Sequence, residues 1–105
     1  MKLEIIYEKG VLTVMLFGEL DHHTALAARN ETDTVIERVK PERVLLDFGG
    51  VTFMDSSGIG FVMGRYRLAM KLGAETEVIN AGSAIYKVMK LSGLERIVKL
   101  TKKGA

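Results

Sequence analysis

The sequence predicts an α/β fold: a mixed sheet of four to five strands with its helices packed mainly on one face. Three observations predict it. Short apolar or alternating runs recur between longer segments whose apolar residues step by three or four. A two-residue Lys9-Gly10 turn signal separates the first two strand-like runs. After that hairpin, strands and helices alternate, which right-handed crossovers build into parallel pairs. With 105 residues, 48% hydrophobic and 27% charged, the chain fits one domain, 1–105, able to bury a core without a metal or disulfide. The absence of cysteine excludes disulfides, thiolate metal sites and a cysteine nucleophile.

Each element has its own signal. Leu3, Ile5 and Tyr7 recur every second residue, the period of a strand. Residues 11–17 are apolar almost throughout, the pattern of a strand buried on both faces. Asp21 is the expected N-cap of a first helix reaching about residue 40, with Ala25, Ala28, Thr32, Val35, Ile36 and Val39 as its inner stripe. Pro41 marks a boundary, residues 44–48 read as a short buried strand, and residues 49–56 as a loop. A second helix is expected over 57–72, with Ile59, Val62, Met63, Tyr66 and Met70 inward and Gly73 as its terminator. A fourth strand is expected over 77–80. A third helix covers 83–92, with Ile85, Val88 and Met89 inward and Gly93 at its end, and residues 97–100 form a short last strand. The order is ββαβαβα plus that final strand.

Topology points to a site. The second and third strands should be parallel, so their C-terminal ends share one edge of the sheet. Asp21-His22-His23 leaves one end and Asp55-Ser56-Ser57 the other. Ligands and partners of α/β sheets engage that edge.

Charge excludes more than it identifies. The net charge is +2, with residues 1–52 holding six basic and nine acidic side chains and residues 53–105 nine and four. Aromatic residues do not interleave with the bases, so direct nucleic-acid binding is not expected. No apolar run approaches the roughly 18 residues of a membrane span, so no membrane is expected either. The N-terminus lacks the apolar core of a signal peptide, and the expected compartment is the cytoplasm.

Residue types around Ser56 leave two readings open. Asp55, Ser56 or Ser57 could cap a helix, satisfying its free N–H groups. A phosphate on a serine there would also be stabilised by those donors and the positive helix end. Gly58, Gly60 and Gly64 fit neither a dinucleotide loop nor a P-loop, and no Gly-Lys-Ser/Thr comes after them. Ser56 is not in a nucleophile elbow, which speaks against a hydrolase built from Ser56, His22 and Asp21. Adjacent histidines on a helix diverge by about 100°, so His22 and His23 make a poor metal site and none is expected.

Four blocks in order carry a resemblance: Gly18-Glu19-Leu20-Asp21-His22-His23-Thr24-Ala25, Phe53-Met54-Asp55-Ser56-Ser57-Gly58-Ile59-Gly60, Gly64-Arg65-Tyr66 and Leu91-Ser92-Gly93-Leu94. Together they resemble the anti-sigma factor antagonists of the sporulation type, which consist of a single STAS domain. The resemblance implies a binder rather than an enzyme, with no cofactor. Its unphosphorylated form would bind an anti-sigma factor, itself a serine kinase, and release the sigma factor. Phosphorylation at Ser56 would end that binding, and a serine phosphatase would reset it. By position in the motif, Asp21, Asp55, Ser57 and Gly58 would surround Ser56 on the docking surface. A monomer when free suits a surface that exchanges partners. The alternative is a STAS module of another signalling or stress-sensing complex, with a nucleotide as its ligand.

Overall fold

In the computed structural model, which describes residues 1–104, Lys9 and Gly10 both take positive φ, at 50° and 80°. Two such residues turn the chain in the sense that matches strand twist, and they join β1 (Lys2–Glu8) to β2 (Val11–Leu20) with Glu8 opposite Val11. The remaining elements are α1 (Ala25–Val39), β3 (Arg43–Met54), α2 (Ser56–Lys71), β4 (Glu75–Ala81), α3 (Ser83–Leu91), a 3-10 turn at Leu94–Arg96 and β5 (Lys99–Lys102). The five strands lie in the order β1-β2-β3-β4-β5. β1 runs antiparallel to β2, and every later pair is parallel. A sheet that grows one strand at a time in one direction, through right-handed crossovers, collects its helices on one face. The helices do pack on one face.

That one-sidedness corrects the reading of β2. Leu12, Val14, Leu16 and Leu20 are fully buried under the helices, whereas Val11, Thr13 and Met15 are half-buried and Phe17 is exposed on the open face. β2 is therefore apolar on both faces but buried on one. The core is built from those residues with Ile36 of α1, Val44, Leu46 and Phe48 of β3, Phe61, Val62 and Ala69 of α2, Val78 of β4 and Met89 of α3.

Other expectations shift. Ala28, Thr32 and Ile36 form the buried stripe of α1 as expected, but its cap is Thr24 and not Asp21. β3 runs on to Met54, through the residues from 49 onward that read as a loop. In α2, Met70 faces solvent, and Phe61, Arg65 and Ala69 take the inward positions beside Val62. Val88 of α3 is likewise exposed. Gly73 ends α2 as expected: it takes φ +77°, donates to the Met70 carbonyl, and Ala74 N–H reaches back to the Ala69 carbonyl. Those two bonds form a Schellman cap. The final strand lies two residues later than expected, because the 3-10 turn intervenes.

Candidate functional site

The C-terminal ends of β2 and β3 are brought together by an unequal pairing. Val11 faces Arg43, an offset of 32 residues, but Leu20 faces Met54, an offset of 34. Two irregularities in the ladder, between Met15 and Phe17 and between Gly18 and Glu19, each absorb an extra β3 residue. Bulges of this kind bend the strand and re-aim the residues beyond it. Here they bring Asp55 level with the end of β2, where its N–H donates to the Leu20 carbonyl at 3.3 Å. Asp21 and Asp55 thus leave adjacent strands at one edge.

Asp55 then caps α2. Its backbone is extended, and its Oδ1 accepts from Ser57 N–H at 2.8 Å, while Gly58 N–H donates to its carbonyl at 3.0 Å. Ser56 is the first helical residue and is exposed; Ser57 is half-buried. Gly58 is buried, and a Cβ there would come within 2.0 Å of Met54 Cγ. What Gly58 contributes is the close seating of the first turn of α2 on Met54, and with it the position of Ser56. Of the two readings open in the sequence, capping falls to Asp55, which leaves the Ser56 hydroxyl at a helix N-terminus and facing water.

Asp21 holds the neighbouring loop. Its Oδ1 accepts from the N–H groups of His23 at 2.9 Å and Thr24 at 3.1 Å. The Thr24 hydroxyl donates to the Glu19 carbonyl at 2.8 Å and accepts from Asp21 N–H. Burial works to raise the Asp21 pKa, but the His23 and Thr24 donors, aided by the nearby His23 imidazole, outweigh it and hold the carboxyl below the usual range. Among the described residues the Asp21 carboxylate accepts from the His23 and Thr24 backbone and the Thr24 hydroxyl and from no imidazole, the contact by which a catalytic triad orients its base. His22 and His23 stack on each other in solvent, ring centroids 3.9 Å apart. Among the described residues, no three His, Cys, Asp or Glu side chains gather where they could hold a metal. No helix there is long and apolar enough to cross a membrane.

The sequence gives no sign of a groove of about 510 Å³ between α1 and α2, which opens beside Ser57. Arg65 forms part of its wall and is 5% exposed. The Arg65 Nε lies 2.7 Å from Asp33 Oδ1 without hydrogen-bond alignment, and Nη1 donates to the Phe61 carbonyl. Burial lowers the Arg65 pKa, Asp33 opposes that, and Arg29 adds to it; a guanidinium stays charged regardless. The Gly64-Arg65-Tyr66 block stands out in the sequence, but a charged residue on an inward stripe gives no periodicity signal.

Comparison with known proteins identifies the family. Residues 2–104 match the STAS domain family. An anti-sigma F factor antagonist of Paenibacillus polymyxa is 37% identical over 100 residues, covering 95% of this chain and 86% of the relative. The unphosphorylated form of the anti-sigma factor antagonist SpoIIAA superposes with a TM-score of 0.81 at 30% identity, over 94% of this chain and 87% of that one. SpoIIAA from Bacillus in its phosphorylated form gives 0.73 at 30% identity, over 94% and 90%.

Proposed function

The chain belongs to the STAS-domain anti-sigma factor antagonists, regulatory modules and not enzymes, and from that premise we propose that it is switched by phosphorylation of Ser56. Unphosphorylated, this single cytoplasmic domain binds an anti-sigma factor and frees the sigma factor. The anti-sigma factor, acting as a serine kinase with ATP, phosphorylates Ser56 and dissociates; a serine phosphatase restores the hydroxyl. Asp21, Asp55, Ser57 and Gly58 form or shape the contact surface around it.

The observation that carries this reading is the position of Ser56. It is exposed, it opens α2, and its own cap is already supplied by Asp55. A phosphate added there carries about −1.5 to −2 charges and meets a favourable helix end within the free protein. The fold therefore tolerates it. A partner surface shaped for a hydroxyl does not, because it would have to accommodate and desolvate a dianion beside Asp55. A loss of roughly 3 kcal/mol weakens binding about a hundredfold, enough to exchange partners.

The test is incubation of the full chain with the anti-sigma F factor of Paenibacillus polymyxa and ATP, followed by phosphosite mapping by mass spectrometry. Phosphate on Ser56 alone is expected, and Ser56→Ala should still bind the anti-sigma factor. Phosphate on Ser57 or elsewhere, or a folded Ser56→Ala chain that no longer binds, would overturn the reading.

A further inference from the structure

We propose that the groove between α1 and α2 seats an acidic, partly apolar segment of the anti-sigma factor; this rests on the functional reading above and adds the chemistry of the partner. Arg29, Arg65 and Arg67 line the groove, and no carboxylate does. Among the described residues Asp33 is the one acid ion-paired with these three guanidinia: it meets Arg65 at 2.7 Å and Arg29 at 3.8 Å, while Arg67 has no ion-pair partner there. The groove thus keeps an unbalanced positive charge. Its rim carries Leu26, 60% exposed, whereas Val35, Ile36 and Val39 of the same helix pack inward.

The α2 wall adds a second, independent feature. Gly60 and Gly64 line the groove four residues apart, and a Cβ at either would meet nothing within 4 Å. Nothing in this chain requires glycine at those positions, and each weakens the helix relative to alanine. Two adjacent bare turns let another chain approach the α2 backbone closely, with Leu26 for its apolar side chain and Arg29 and Arg67 for its carboxylates. The groove opens beside Ser57, next to Ser56, so a segment seated there continues the surface that the phosphate would disrupt.

The experiment titrates the full chain and its variants against the anti-sigma F factor of Paenibacillus polymyxa, with melting temperatures on the same samples. Wild-type affinity should fall with added salt, and Arg67→Glu should weaken binding about tenfold and flatten that salt dependence. The pair Gly60→Ala with Gly64→Ala should raise the melting temperature and yet weaken binding, a combination that a purely structural role for the glycines would not give. Wild-type binding with both variants unchanged overturns the groove assignment and leaves the functional reading standing. No wild-type binding at all removes both. If instead the variants alter self-association in sedimentation and not anti-sigma factor affinity, the groove belongs to a second copy of the chain and the proposal is wrong.

Discussion

At the scale of a residue, Asp21 separates a structural from a partner-facing role. Its Oδ1 accepts two backbone N–H bonds and holds the loop that leads into α1. Asparagine offers an oxygen in the same place, so Asp21→Asn should keep a near-native melting temperature. The charge is removed, however, and a charge lost from an interface weakens complementarity with the partner. Weaker anti-sigma factor binding by a fully folded Asp21→Asn chain is the expected result, and unchanged affinity would confine Asp21 to the loop. The same substitution tests the depressed pKa of Asp21. A carboxyl whose folded pKa lies below the unfolded value, about 3.9, contributes stability above that pH and loses it as the pH falls through the folded pKa. Wild type and variant should therefore differ by a small, constant amount in denaturant unfolding from neutral pH to about 5. The wild-type advantage should then shrink in more acidic solution.

At the scale of an element, β3 shows what the sequence discloses and what it hides. Residues 44–48 are legible because Val44, Leu46 and Phe48 are buried at every second position and Leu45 between them is apolar too. The extension to Met54 is not, because Gly49-Gly50 reads as a loop until a neighbour explains it. The neighbour is β2: a Cβ on Gly50 would lie 2.3 Å from the Phe17 ring and 2.7 Å from the Leu16 carbonyl oxygen. Glycine is present there for a close approach between strands, at the bulge that sets Asp55 beside Leu20. Such pairing depends on partners more than thirty residues away, and no local period reports it. The cap displaced from Asp21 to Thr24 has a similar cause, since an Asx-type turn and a helix cap carry the same residue signature. By contrast, that Asp21 and Ser56 share one edge comes from the parallel strand direction, which the element order discloses, while the bulges set how closely their strand ends are levelled. Gly50→Ala should cost about 1–3 kcal/mol through overpacking, because the clashing carbonyl cannot swing away. A shift of the urea midpoint of that size measures it. A variant as stable as wild type would mean that the bulge is not tightly constrained.

At the scale of the whole molecule, the one-sided sheet decides where charge has to be buried. All helices share one face, so α1 and α2 lie side by side, and Arg65 at their contact has little access to water. Its side chain is 6% exposed and that of Asp33 21%. Removing one partner from a buried pair leaves the other charged and uncompensated, which is far more costly than removing both. Asp33→Ala should accordingly destabilise the fold by about 3 kcal/mol, toward the lower end of the buried-pair range because water still reaches the carboxylate. Arg65→Met fills similar volume without a charge. Made on the Asp33→Ala background, it should recover most of the loss. Urea unfolding of wild type, both single variants and the double variant closes the cycle and isolates the coupling. A coupling energy within about 0.5 kcal/mol of zero would show that the pair behaves as a surface ion pair. A large one would establish Asp33 as the residue that keeps α1 registered on α2 and the walls of the groove between them in place.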